Sequence, residues 1–145
     1  MSVDGKTFLE NTVLSHEVFG PFSIIVQCEN LEELTAIINK LDGQLTGTII
    51  AESAEISNYD TVISALQNRV GRLIFNGVPT GVEVCASMLH GGPYPASSDS
   101  RFTAVGIHAV KRWVRPFSYQ NWPDELLPEA LQNKNPLNIN RTVND

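Results

Sequence analysis

Phe22-Ser23-Ile24-Ile25-Val26-Gln27-Cys28 is a short run rich in β-branched residues and too apolar to keep one face in water, so it predicts a strand buried on both faces. Strands of that kind belong to parallel sheets whose faces are covered by helices, and the next residues supply such a cover. Asn30 stands before an apolar pattern at Leu31, Leu34, Ile37, Ile38 and Leu41; Glu33 completes a capping box and Gly43 follows the end, which predicts a helix over 31–41. Thr46 to Glu52 reads as a second apolar strand. Ser57 to Val70 reads as a second helix, striped by Val62, Ile63, Leu66 and Val70 and closed by Gly71. Arg72-Leu73-Ile74-Phe75-Asn76 is the third strand. Strands alternating with amphipathic helices imply right-handed crossovers, hence an α/β fold with a mainly parallel sheet built from β-α-β-α-β units.

Beyond Asn76 the pattern changes. Residues 77–100 are punctuated by Gly77, Pro79, Gly81, Gly91, Gly92, Pro93 and Pro95 and show little periodicity, which predicts a long loop with a short helix near Val84 to Leu89. The apolar and aromatic side chains Val84, Met88, Leu89 and Tyr94 favour an ordered, pocket-lining loop over a linker. An apolar stripe at Phe102, Val105, Ala109, Val110 and Trp113 predicts a further helix over 102–115, ended by Pro116. Residues 116–145, with Pro123, Pro128 and Pro136, are expected to pack as an extended arm. The whole chain, 1–145, reads as one domain.

Composition narrows the function classes. With 145 residues and 42% hydrophobic content the chain can bury a sizeable core. A net charge of −6 and a pI near 5.0 argue against a nucleic-acid or anionic-membrane partner, because phosphate binding needs a basic field. The basic cluster Lys111, Arg112 and Arg115 reads as a solvated helix end. Cys28 and Cys85 fit neither a disulfide framework nor a metal-ligand spacing, so no metal is expected and the thiols read as buried and inert. Met1 to Glu10 show no basic segment followed by an apolar stretch and no run approaches a membrane span, so a cytoplasmic setting is expected.

Several ordered segments carry a resemblance. Glu17-Val18-Phe19-Gly20-Pro21-Phe22, Gly71-Arg72-Leu73-Ile74-Phe75-Asn76, Thr80-Gly81-Val82-Glu83, Met88-Leu89-His90-Gly91-Gly92-Pro93-Tyr94-Pro95-Ala96-Ser97-Ser98, Val114-Arg115-Pro116-Phe117-Ser118-Tyr119-Gln120-Asn121 and Asn135-Pro136-Leu137 follow one another in the order found in NAD(P)-dependent aldehyde dehydrogenases. The chain resembles the C-terminal third of that family, most closely the branch of α-ketoglutaric semialdehyde (2,5-dioxovalerate) dehydrogenases and bacterial NADP-dependent fatty aldehyde dehydrogenases. The resemblance implies the fold of the C-terminal half of the catalytic domain. It implies that Glu17 accepts hydrogen bonds from the nicotinamide ribose and that Phe19 packs beside the nicotinamide. It also implies an aldehyde pocket lined from Thr80 to Ser98, with Thr80, Met88, Tyr94, Ser97 and Ser98 as wall residues and His90 as an inherited proton-transfer residue.

The same resemblance places the nucleophilic thiol, the oxyanion donor, the deacylating Glu and the dinucleotide-binding domain upstream of the matching segment. The expectation is therefore a fragment without dehydrogenase activity by itself. The alternatives are a split-enzyme subunit completed by a longer dehydrogenase-like chain and a fold reused as a small-ligand or protein-interaction module. Apart from the resemblance, Glu17 reads as a turn carboxylate, Phe19 and Phe22 as core, and His90 as a loop residue. Sheet edges and apolar faces left without the upstream half predict a homodimer or larger assembly.

Overall fold

The computed structural model describes residues 1–79 and 81–143 and divides into two compact units, Met1–Val114 and Arg115–Asp145. All regular elements lie in the first. In chain order they are β1 (Ser2–Asp4), α1 (Gly5–Glu10), β2 (Ile25–Gln27), α2 (Leu31–Lys40), β3 (Gln44–Ile49), α3 (Asp60–Gln67) and β4 (Val70–Phe75). The strands pair as two separate two-stranded sheets. β1 runs parallel to β2, with Val3 opposite Val26, and β3 runs parallel to β4, with Gln44 opposite Val70 and Ile49 opposite Phe75. The α/β class and the parallel pairing agree with the sequence pattern, while the single sheet is replaced by two narrow ones.

The helices begin where their caps dictate. Asn30 Oδ1 accepts the Glu33 amide at 2.9 Å, and the Glu33 carboxylate reaches back to the Glu29 amide at 2.8 Å, a capping box displaced by one residue. Asp4 caps α1 by accepting the Thr7 amide at 2.7 Å and the Thr7 hydroxyl at 2.9 Å. α3 is shorter than the apolar stripe suggests. A 3₁₀ turn at Ile56–Tyr59 precedes it, it stops at Gln67, and Val70 and Gly71 belong to β4. Ile38, Val62 and Ala65 form the buried centre between α2 and α3, with Leu34, Tyr59 and Leu66 packed around them. Phe8 and Ile37 are the other buried apolar side chains among the described residues.

Three sequence expectations are corrected here. The run from Phe22 to Cys28 forms only a three-residue strand, and Ile25 and Phe22 are exposed, because no second sheet or helix covers the outer face of β2. The helix expected over 102–115 is a 3₁₀ turn at Ala109–Trp113, and the helix expected near Val84 to Leu89 is irregular chain. Val110 and Trp113 point to solvent, so the apolar stripe has no surface to bury against, and Gly106 breaks it with φ +95°.

The C-end of β4 is closed by one side chain. Asn76, in the left-handed region at φ +49°, gives its amide N–H to the Ile49 carbonyl at 2.8 Å. Its side-chain oxygen accepts the Ala51 amide at 2.9 Å and its side-chain nitrogen donates to the Ala51 carbonyl at 2.8 Å. The carboxamide thus extends the β3–β4 ladder past the point where the strands separate.

The second unit contains the 3₁₀ turns Asp124–Leu126 and Glu129–Leu131 and no α-helix or strand among its described residues. Arg141 knits it together by donating to the carbonyls of Gln132 at 2.6 Å and Asn133 at 2.9 Å. Tyr119 stands edge-on to Phe117, with centroids 5.1 Å apart, and 5.8 Å from Trp122.

Candidate functional site

Two concave regions in the first unit hold several of the residues singled out in the sequence. One is built on the signature segment. Asn11 Oδ1 caps a 3₁₀ turn at Thr12–Ser15 by accepting the Val13 amide at 3.1 Å, and the chain then passes through Glu17 and Phe19 before the Phe22 amide closes back on the Gly20 carbonyl at 2.7 Å. Leu14, His16, Glu17, Phe19, Phe22 and Ile24 border an open groove of about 500 Å³. Phe19 is 98% exposed, and the Glu17 carboxylate accepts no hydrogen bond from any described residue.

That chemistry fits one part of a nicotinamide dinucleotide. A free carboxylate has two acceptor oxygens for a ribose diol, and an uncovered aromatic ring offers a face to a flat heterocycle. No Lys or Arg borders the groove, so it holds no partner for a pyrophosphate.

The second region is built on the long loop, and it is far better held. Gly71 lies so close to the Gly91 carbonyl, and Gly43 to the Pro93 carbonyl, that a Cβ at either position would overlap backbone. The Gly43 amide donates to the Tyr94 carbonyl at 3.2 Å. Residues 91–94 are thereby fixed against the N-terminal ends of β3 and β4. Loop backbone can approach strand backbone this closely only where side chains are absent, which explains Gly43, Gly71 and Gly92, while a Cβ on Gly91 would crowd the Phe102 carbonyl and the Ser97 hydroxyl.

The same loop closes on the segment that follows it. Thr103 is 5% exposed; its hydroxyl oxygen accepts the His90 amide at 2.8 Å and its hydroxyl donates to the Val105 carbonyl at 2.7 Å. The Ala104 amide donates to the His90 carbonyl at 2.9 Å, so both backbone groups of His90 are fixed. Ser97 Oγ accepts the Gly92 amide at 3.0 Å. Together these contacts shape a pocket of about 530 Å³ bordered by His90, Ser97, Ser98, Asp99, Phe102 and Arg112, with Leu45 and two alanines completing its wall. Asp99 holds Arg101 through contacts of 2.6 Å to Nη2 and 2.9 Å to Nε; the guanidinium lowers the Asp99 carboxyl from 3.8 to about 2.

The structure brings His90, Ser97 and Ser98 to one pocket. Met88 borders a neighbouring cleft with Arg101, His108 and Lys111, and Tyr94 is exposed, its backbone rather than its ring serving the site. Thr80 lies outside the described residues. Thr103, Asp99 and Arg112 were missed by sequence reasoning. The link from Thr103 to the site gives no local signal, since His90 is thirteen residues away. Arg112 stood inside the predicted helix and so read as a surface charge.

The thiols are free. Burial first, and then the Glu33 carboxylate, push the Cys28 thiol up, away from the thiolate that a nucleophile needs. Cys85 Sγ lies 3.4 Å from Ser87 Oγ. Among the described residues no group of acidic, His and Cys side chains is placed to hold a metal ion, and no helix is long and apolar enough to cross a membrane.

Comparison with known proteins gives a consistent result. A profile of the aldehyde dehydrogenase family matches residues 8–113. Alpha-ketoglutaric semialdehyde dehydrogenase 2 of Azospirillum brasilense is 47% identical over 139 residues, which cover 96% of this chain and 26% of that protein. Alpha-ketoglutaric semialdehyde dehydrogenase of Acinetobacter baylyi is 48% identical over 134 residues, covering 92% of this chain and 26% of the relative. The chain spans about a quarter of the length of the curated relatives it matches.

Proposed function

The chain belongs to the aldehyde dehydrogenase family, and we propose that it supplies the nicotinamide-ribose contact and one wall of the aldehyde pocket without oxidising an aldehyde by itself. The observation that carries this reading is the exposure of Glu17 and Phe19 on one groove, with the acceptor and aromatic face unused. NAD(P), when bound, supplies the hydride acceptor. Glu17 would orient the ribose through its hydroxyls and Phe19 would limit tilt of the nicotinamide. His90, fixed through both backbone groups, would hold or move a proton beside the reacting carbonyl, with Ser97 and Ser98 as wall residues. Thr80, Met88 and Tyr94 would complete the wall in the assembled enzyme. The relatives' names suggest a semialdehyde as the substrate class.

Inactivity in isolation is supported by the raised Cys28 thiol and by the absence of a cation at the Glu17 groove. A thiolate nucleophile and phosphate-binding groups would come from a longer dehydrogenase-like polypeptide. The free thiols suit a reducing cytoplasm.

Calorimetric titration of the chain with NADP and with NAD tests the reading. Saturable binding that weakens about tenfold or more in Glu17→Gln is expected, the size of a lost hydrogen bond to a charged acceptor. No heat at millimolar cofactor would reject it and favour a reused binding module.

Self-association is a second reading, favoured by the exposed apolar side chains Phe19, Ile50, Val84 and Trp113. A homodimer or larger species is expected by light scattering. A clean monomer would count against it.

A further inference from the structure

We infer that Arg112 determines specificity in the His90 pocket by pairing with the carboxylate of a short aliphatic oxo acid, an inference that rests on reading this pocket as the aldehyde site. The charge balance of the lining points there. Asp99 and Arg112 are the charged groups that border the pocket; Asp99 is occupied by Arg101 at 2.6 Å, whereas Arg112 has no carboxylate within ion-pairing distance among the described residues. One uncompensated positive charge therefore faces this space.

The neutral groups agree in polarity. Ser97 Oγ accepts the Gly92 amide and keeps its O–H as a donor with one lone pair to spare, and the Ser98 hydroxyl engages no described partner. A ligand that only accepts hydrogen bonds at one end satisfies all three groups. A guanidinium suits a carboxylate better than an ammonium does, because its planar fork matches both oxygens. Arg112 is also backed by an aromatic ring, with its guanidinium carbon 5.9 Å from the Trp113 centroid, which narrows its orientations. Leu45, Ala96, Phe102 and Ala104 supply apolar wall for a few methylenes. The volume, about 530 Å³, is that of a small-molecule site.

The pocket contains its own reporter. The chain has three histidines, so uniformly ¹³C-labelled protein gives three imidazole Cε1–Hε1 signals, and His90→Gln identifies the one in the pocket. At fixed ionic strength the intact chain is titrated with glutarate and, separately, with pentanamide, an uncharged molecule of similar length. The expected result is a saturable shift of the His90 signal with glutarate, little response to pentanamide, an affinity about tenfold weaker in Arg112→Gln, and partial recovery in Arg112→Lys. Arg112 is exposed, so these variants are expected to keep the wild-type amide spectrum. A glutarate shift of equal affinity in Arg112→Gln, or equal responses to both probes in the wild type, would overturn the assignment of Arg112 while leaving the pocket as a ligand site. Silence of the His90 signal toward both probes would overturn the assignment and the aldehyde-pocket reading together.

Discussion

The signature segment around Glu17 and the loop around His90 are both irregular chain, yet they are held in opposite ways. The first presents its side chains outward and keeps its form through local turns, from the Asn11 cap to the Gly20–Phe22 closure. The second is clamped between glycine backbone on one side and the Thr103 hydroxyl on the other. A site wall that must keep its shape unaided is built from backbone contacts. A surface that awaits a cofactor or a partner is left with its side chains free.

Removing the clamp is expected to have the largest effect. Gly71→Ala drives a methyl group into the Gly91 carbonyl, where no flexible side chain can yield, and is expected to cost about 3 kcal/mol in urea unfolding. Loss of under 0.5 kcal/mol would show that the loop is not seated on β4. Thr103→Val comes next. It leaves the His90 amide and the Val105 carbonyl without partners and should cost about 2 kcal/mol, with Thr103→Ser recovering most of it. If serine fares no better than valine, the hydroxyl is not what holds the loop.

The Asp99–Arg101 pair sharpens the comparison through pH. Because the folded-state value of Asp99 is depressed to about 2 from 3.8, its contribution is fully present above about pH 4 and disappears as the pH falls toward 2. Both partners are solvated, so the effect is expected to be small, visible as a shallower acid limb for Asp99→Asn than for the wild type. Parallel acid limbs would remove the pair from the account. The smallest effect is expected from Phe19→Ala, under about 0.5 kcal/mol, since the ring is 98% exposed. A cost above 1 kcal/mol would mean that the signature segment is structural after all.

What the sequence revealed, and what it hid, follows the range of the interactions. The start of α2 was readable because Asn30 and Glu33 act across a single turn. β4 was readable because its apolar run ends at an Asn whose left-handed backbone suits a strand exit. The stripe from Phe102 to Trp113 misled because periodicity reports the capacity to form an amphipathic helix, and not whether a surface exists for it to cover. Thr103 instead spends its hydroxyl on His90 and Val105, a competition with helix geometry that no local pattern discloses. At the candidate site, His90, Ser97 and Ser98 were legible as one loop. Arg112 was not, since its approach to them depends on the failure of the helix that was expected to carry it.

The parallel register of β3 with β4 has a consequence for the order in which the protein is made. Every pair in that ladder, from Gln44↔Val70 to Ile49↔Phe75, is bridged by α3 and its turns, and Asn76 seals the end of the ladder through Ala51. The entropic cost of closing such a loop grows only slowly with its length, and the pairing needs no residue beyond Asn76. The β3–α3–β4 unit can therefore be complete while the glycine-rich loop is still within the ribosome, and His90 then emerges onto a surface already formed to receive it.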